Sequence, residues 1–254
     1  MFTLATSINI DLYLIVASLG ALLIGMSKGG LPMVGMMSVP LLSLVMSPVK
    51  AAVLLLPLFV ISDFVGVWLY RHQYSAANLK ILIPASLVGV FVGWLTASII
   101  SDQTTKFIIG LVGVSFCLRT WFLRGESNVA QPAGKLKGYF WGSMAGFTSF
   151  ISHAGGPPFQ IYVLPQKLPK AEFAGTATIL FAIINFSKIL PYQNLSPYSE
   201  GDLVKAATLI PMALFGTFLG AYLTRRINDA WFYKLVQVGL FIVSCRLIWD
   251  AVGH

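Results

Sequence analysis

Long uninterrupted runs of apolar residues constrain this chain more than any other feature. Six windows, each of roughly 18–22 mostly apolar residues, are long enough to cross the ~30 Å hydrocarbon core of a bilayer as helices. A transmembrane barrel would instead need segments of about ten residues with alternating polarity. The windows predict full membrane spans at 51–70, 81–100, 106–123, 172–190, 204–224 and 231–249.

The composition agrees with a membrane protein. Of the 254 residues, 57% are hydrophobic and only 10% are charged, whereas soluble domains carry about 25% charged residues. The net charge of +8 is explained by basic residues in cytoplasmic loops, and no long basic run indicates nucleic acid. Because the two cysteines, Cys117 and Cys245, lie in apolar segments, neither a disulfide framework nor a metal site is expected. We therefore expect an all-α polytopic membrane protein without a cofactor.

Two related breaks interrupt the remaining apolar regions of the chain. The first reads IGMSKGGLPMVG at 24–35, and the second reads SFISHAGGPPFQ at 149–160. Each combines a serine, an ionisable residue, a pair of glycines and proline. Glycine allows unusual backbone conformations, and proline prevents continuation of the preceding helix. Each break is expected to leave pieces of about 9–15 residues, which return the chain to the side it left as a re-entrant hairpin or two short spans.

The two breaks belong to a longer internal repeat. The segment IPASLVGVFVG at 83–93 matches IPMALFGTFLG at 210–220 without a gap, and the two Gly-Gly pairs also align. Each half then contains a broken, re-entrant helix pair plus three transmembrane helices, and the odd number of full crossings predicts two inverted repeats. The predicted boundaries within a single integrated membrane domain are 1–124 for the first repeat, 125–135 for a cytoplasmic linker and 136–254 for the second repeat.

The distribution of basic residues predicts the orientation in the membrane. With these spans, eleven of the 17 lysines and arginines fall on one side and five on the other, while Lys28 lies within the first break. Cytoplasmic loops carry the excess of basic residues. The richer side is therefore expected to be the cytoplasm, with both termini in the periplasm.

The two breaks form a candidate anion-binding site. The N–H groups at the start of a helix that follows a break have no partner in their own helix, and helix N-termini attract anions. Two such ends that meet across a pseudo-twofold axis would form one pocket. The predicted substrate-binding residues are Ser27, Lys28, Gly29, Gly30, Ser152, His153, Gly155, Gly156, Gln160 and Asn185.

Further polar residues and prolines are assigned coupling or structural roles. Asp63 lies deep in an apolar span, where an acid needs a partner, and Lys28 is the candidate. The repeat-equivalent position is Asn185, and Lys188 one turn later could reach either the site or the outer surface. The set is completed by the prolines at the breaks, which are Pro32, Pro157 and Pro158.

Several alternatives remain open at this stage. The glycines and prolines could serve only helix packing, Lys28 could extend to a surface, and His153 could be a neutral packing residue. An intramembrane enzyme using Ser152 and His153 is a second hypothesis, although adjacent residues on a helix point in different directions. A scaffold without transport activity is a third hypothesis. Within the transporter hypothesis, another small anion, a cation or a neutral organic solute stays open as the substrate.

The ordered motifs resemble those of the sulfite exporter TauE/SafE family, also called the 4-toluene sulfonate uptake permease family. The resemblance rests on GMSKGGLP, SPVKAAVLLLPLFVISDFVGVWLYR, GFTSFISHAGGPPFQIYVLPQKL and GTATILFAIINFSKILPY. It implies a secondary transporter, not an enzyme, in the bacterial inner membrane that exports sulfite or organosulfonates such as sulfoacetate. The expected partners are a small anionic substrate and the lipid bilayer, and not nucleic acid. A chain of this size is also compatible with a homodimer.

Overall fold

The fold is built from α-helices. The computed structural model describes residues 2–31, 34–97, 99–122, 132–226 and 229–252, and within these ranges it contains ten α-helices and no β-strand. The first half comprises α1 (Phe2–Lys28), a 3₁₀ turn (Val34–Met37), α2 (Ser38–Leu42), α3 (Pro48–Tyr70), α4 (Ala76–Ala97) and α5 (Asp102–Phe122). The second half comprises α6 (Lys135–Ser152), α7 (Gly156–Val163), a 3₁₀ turn (Leu164–Gln166), α8 (Lys170–Leu195), α9 (Glu200–Arg226) and α10 (Asp229–Val252).

The long helices confirm a polytopic membrane protein. Helices α3, α4, α8 and most of α9 are long and apolar enough to cross a bilayer. The other two predicted spans correspond to α5 and α10, which are 21 and 24 residues long. Large apolar side chains such as Phe64, Trp68 and Phe218 are exposed on the outside of the bundle, where a bilayer would cover them. Helices α3, α4, α8 and α9 also contain internal prolines, which transmembrane helices tolerate.

Both breaks lie where the sequence predicts them, and each contains a residue with a left-handed backbone. After α1, Gly30 has a φ of 113°, and the N–H of Leu31 donates to the carbonyl of Met26. This hydrogen bond closes the helix as in a Schellman motif. After α6, His153 takes the left-handed role with a φ of 54°. Non-glycine residues pay roughly 1–2 kcal/mol for this conformation, so the surroundings of His153 must hold it in place.

The predicted length of about 9–15 residues for the pieces on either side of the breaks is wrong, because the helices before the breaks are longer and those after them are shorter. Helix α1 is 27 residues long and α6 is 18, because no helix-breaking residue interrupts either before its glycine- or histidine-containing end. The returning pieces are short, since α2 has five residues and α7 has eight. Only α7 begins directly as an α-helix after its break, with Pro157 and Pro158 in its first turn. The first break instead leads into the 3₁₀ turn, and Pro32 lies outside the described residues.

The long helices of one half pack against long helices of the other half. Helix α1 packs along α9 and α4 packs along α6, while α3 contacts α8 and α5 contacts α10. If the halves are interchanged, the first contact becomes the second, and the other two are unchanged. This is the pattern that the predicted repeat would produce if its halves were related by a pseudo-twofold axis. The inverted orientation and the repeat boundaries stay predictions, and most of the linker at 125–135 lies outside the described residues.

Glycines allow equally close packing at the α1–α9 interface and at the α4–α6 interface. A Cβ atom on Gly25 would lie 1.8 Å from the carbonyl oxygen of Ala213, and one on Gly146 would lie 1.9 Å from that of Ser86. Glycine has no Cβ, and small residues of this kind let the backbones of transmembrane helices pack closely. The two contacts place Gly25 of α1 and Gly146 of α6 in the same register. Since α1 ends three residues after its glycine and α6 ends six residues after, α6 continues about one turn further before its break.

Candidate functional site

A small buried cavity lies where the two breaks meet α3 and α8. Its volume is about 30 Å³, which leaves room for roughly two water molecules. The residues that line it include Lys28, Gly35, Phe59, His153, Gly156 and Asn185. Segments that are far apart in sequence therefore border one cavity, which has polar groups on its wall.

Lys28, the last residue of α1, forms an ion pair with Asp63 in α3. The Lys28 Nζ lies 2.6 Å from the Asp63 Oδ1, and both side chains are buried. The same ammonium lies 5.4 Å from the ring centroid of Phe59 and 5.9 Å from that of Phe181, within the range of cation–π attraction. Since a lone charge in a membrane span costs about 3 kcal/mol or more, the pair explains how this span accommodates an acid.

Asn185 of α8 connects this ion pair to a second lysine. Its Nδ2 donates to the Asp63 Oδ2 at 2.7 Å, and its Oδ1 accepts from the Lys188 Nζ at 3.1 Å. Asp63 and Asn185 are the positions that the repeat predicts to be equivalent. The neighbouring equivalent pair, Phe64 and Phe186, is also in contact, with ring centroids 5.6 Å apart. Residues that are equivalent in the predicted repeat therefore contact each other at this point.

Lys188 points into the protein and not toward the outer surface. It is completely buried, and its Nζ donates to the Ser149 carbonyl oxygen and the Ser149 Oγ, both at 2.8 Å. The His153 Nδ1 lies 3.0 Å away. Lys188 does not line the cavity. Its hydrogen bonds connect α8 to the end of α6 on the side of these residues that faces away from the cavity.

The contacts of His153 determine its tautomer. Its Nε2 lies 3.0 Å from the carbonyl oxygen of Ala52, which can only accept, so Nε2 carries the proton. Nδ1 is then free to accept from Lys188. The ring also stacks on Phe59, with centroids 4.3 Å apart and an interplanar angle of 17°. These contacts hold a neutral imidazole in place and support the left-handed backbone at the break.

The predicted serines differ in their positions. Ser27 lines the cavity, and its hydroxyl donates to the Ile24 carbonyl oxygen at 2.6 Å. The Ser152 hydroxyl is 3.4 Å from the Thr148 carbonyl oxygen, and Ser152 does not line the cavity. Ser149 lines it instead, one turn earlier on α6. Both ring nitrogens of His153 have other partners, so no Ser152–His153 hydrogen bond forms.

The remaining predicted residues divide between the cavity and its supports. Gly156 lines the cavity, while a Cβ on Gly29 would meet the carbonyl oxygen of Thr217 on α9 at 2.3 Å. A Cβ on Gly155 would lie 2.6 Å from the Ala145 carbonyl oxygen. Gln160 is buried in α7 away from the cavity, and within the described part of the chain its amide has no hydrogen-bond partner.

Sequence reasoning missed several residues of the cavity wall. Ser149, Phe59, Thr178 and Phe181 line it, but none stands out among the many serines, threonines and phenylalanines of apolar helices. Ser149 carries one usable signal. It lies three residues after Gly146, as Lys28 lies three residues after Gly25, so alignment on the packing glycines would have found it.

Comparison with known proteins agrees with this architecture. No match was found among curated proteins or among solved structures. The model of one family, described as sulfite exporter TauE/SafE, matches residues 17–247 and so covers almost the whole chain, including both breaks, α3 and α8. This chain therefore belongs to the sulfite exporter TauE/SafE family.

Proposed function

We propose that this protein is a secondary transporter that exports small sulfur-containing anions, such as sulfite or organosulfonates, across the bacterial inner membrane. Membership of the TauE/SafE family supports export of such anions. The substrate would bind in the cavity between the two breaks. A sulfonate or sulfite group offers three acceptor oxygens, which suit the Lys28 ammonium and the Asn185 amide on the cavity wall.

The observation that carries this proposal is the presence of two hydrogen-bond donors, the Lys28 side chain and the Asn185 amide, on the wall of a buried cavity between the two breaks. Among the described residues, the buried ionisable groups of the site are Lys28, Lys188, Asp63 and His153, so basic side chains outnumber the single acid. An anion in the cavity would accept hydrogen bonds from Lys28 and Asn185.

Alternating access is the proposed mechanism. Helices of the first half pack against helices of the second half, and residues of both halves line the cavity. Transporters built from repeats commonly bind their substrate at such an interface. Rocking of one half against the other would open the cavity to either side in turn.

The proposal is tested by transport into reconstituted vesicles. Purified protein in proteoliposomes should move radiolabelled sulfite or methanesulfonate, and Lys28→Ala should lower the rate by about tenfold or more, because a charge-assisted hydrogen bond of roughly 1.5–3 kcal/mol is lost. The matched control is Lys50→Ala, since Lys50 is exposed. Normal transport by Lys28→Ala would show that Lys28 does not bind the substrate.

A second variant separates loss of binding from loss of folding. Lys28→Ala leaves Asp63 buried without its partner, whereas Lys28→Met combined with Asp63→Asn removes both charges of the pair. This double variant should remain folded and still transport poorly. Absence of anion transport by the wild-type protein, with the vesicles shown to be sealed, would contradict the proposed function itself.

A further inference from the structure

We infer that His153 is a gate residue that closes the central cavity toward one end of the helix bundle, and that a second cavity beyond its ring is the route by which the substrate leaves. This assignment rests on the proposed transport function and deepens its alternating-access mechanism. It names the contact that must break before the cavity opens toward that end. The observation behind it is the position of the His153 ring, which touches the walls of both cavities.

The second cavity, which we name the vestibule, lies at the end of the bundle where α3 begins and where α4 and α8 end. Its volume is about 20 Å³. Three of its lining residues lie at or next to these helix termini and are partly exposed: Val49, Ala97 and Leu195. Its deeper lining residues include Ala52, Phe150 and Tyr192, which are buried. The vestibule therefore extends inward from an end of the bundle, and the predicted orientation places that end at the periplasm.

The His153 ring stands between the vestibule and the central cavity. His153 lines the central cavity, and its Nε2 donates to the carbonyl oxygen of Ala52, which lines the vestibule. The ring also makes an edge contact with Tyr192 of the vestibule, with ring centroids 5.9 Å apart and an interplanar angle of 87°. Movement of this ring would therefore join the two cavities.

The contacts that hold the ring cross between the two halves of the chain. His153 follows α6 in the second half, whereas its hydrogen-bond acceptor, Ala52, is in α3 of the first half. Phe59, on which the ring stacks, is also in α3. Rocking of one half against the other, as in the proposed mechanism, would separate the ring from both partners.

The backbone of His153 favours its release once these contacts break. Its φ of 54° lies in the left-handed region, which non-glycine residues keep only when their surroundings hold them there. Separation from Ala52 and Phe59 would remove that constraint, so the residue could relax and carry its ring out of the route. Strained residues of this kind are concentrated at functional sites and switch regions.

The first test measures access to the central cavity through the gate. In a background with Cys117→Ser and Cys245→Ser, Thr178→Cys places a thiol on the cavity wall, and its reaction with 2-sulfonatoethyl methanethiosulfonate is timed on the full-length protein in nanodiscs. His153→Gly removes the ring, and glycine suits the left-handed backbone. It should raise the reaction rate about tenfold or more, because a hydrogen bond and an aromatic contact that close the gate are lost. An unchanged rate would overturn the inference.

Filling the vestibule separates opening of the gate from general loosening of the fold. Ala97→Trp places a large side chain in the vestibule and should cancel the increase caused by His153→Gly. Ala77→Trp is the matched control, since Ala77 is exposed at the opposite end of α4, and it should leave the increase unchanged. His72→Gly, at an exposed histidine, should not alter the rate by itself. An increase that persists with Ala97→Trp would mean that the reagent enters by another route, which contradicts the inference.

Transport distinguishes failure of this inference from failure of the proposed function. In proteoliposomes that retain His153, Ala97→Trp should abolish methanesulfonate transport, whereas Ala77→Trp should transport like the wild-type protein. Normal transport by Ala97→Trp would leave the function standing and overturn the route through the vestibule. Absence of transport by the wild-type protein in sealed vesicles would contradict the function, and with it the gate. This measurement does not depend on whether His153→Gly folds.

Discussion

Lys28 and Lys188 reach the same buried cluster but have different environments. The Lys28 ammonium faces the cavity and is balanced by Asp63, whereas the Lys188 Nζ lies behind the cavity wall, within hydrogen-bond distance of Ser149, His153 and Asn185. The sequence indicates Lys28 and Asp63 as partners, because an acid deep in a span needs a cation. It leaves Lys188 undecided, since its direction depends on how α8 is rotated against α6, and no local pattern encodes that rotation.

The ion pair predicts a measurable effect on stability. Lys28→Met leaves the Asp63 carboxylate buried without its cation, and breaking one partner of a buried pair typically costs about 3–5 kcal/mol. Lys28→Met should therefore lower the thermal unfolding midpoint in detergent, and adding Asp63→Asn should recover most of the loss. Lys50→Met is the exposed control. An unchanged midpoint for Lys28→Met alone would show that Asp63 does not depend on this pair.

At the scale of elements, the breaks are predictable but their register is not. Glycine and proline mark where α1 and α6 must end, and both helices end there. Aligning the Gly-Gly pairs, however, makes Lys28 equivalent to Ala154, next to His153, while the packing glycines make it equivalent to Ser149. The difference is the additional turn of α6. That turn exists because α6 has no glycine at the position where α1 stops, and because His153 adopts a left-handed backbone held by its side-chain contacts.

Close helix contact predicts which glycines cannot be replaced. Gly25→Ala and Gly146→Ala should each lower the unfolding midpoint, because the new methyl group would lie within 2 Å of a carbonyl oxygen on the facing helix. Gly20→Ala is the matched control on α1, since the nearest atom to its Cβ is 3.8 Å away. It should be neutral or stabilising, because alanine favours helix by about 1 kcal/mol over glycine. Equal midpoints for all three variants would contradict the packing register.

The whole molecule depends on contacts between halves more than on contacts within them. The sequence predicts six spans and their order from hydropathy, and α3, α4, α5, α8, α9 and α10 lie at the predicted places. It does not predict that α1 packs on α9 or that α4 packs on α6, because apolar helices in lipid carry no pattern that names their partner. Only the repeated small residues at 89, 93, 216 and 220 indicate close helix contact.

The orientation in the membrane yields a prediction about access from each side. In a background with Cys117→Ser and Cys245→Ser, we expect a membrane-impermeant maleimide to label Glu200→Cys in intact spheroplasts. Gln73→Cys should react only after the membrane is opened. Both residues are exposed, so accessibility within the fold does not separate them. Labelling of Gln73→Cys alone in intact spheroplasts would mean that the termini face the cytoplasm.

The contact between Asp63 and Asn185 also bears on how such a molecule can arise. A half-length chain that paired with a copy of itself would place identical side chains at this axis. Two aspartates there would repel each other, and two asparagines would leave Lys28 without its counter-ion. Joining the halves in one polypeptide lets the two positions differ, so a single carboxylate can lie at the predicted axis, which a symmetric pair of identical halves would not allow.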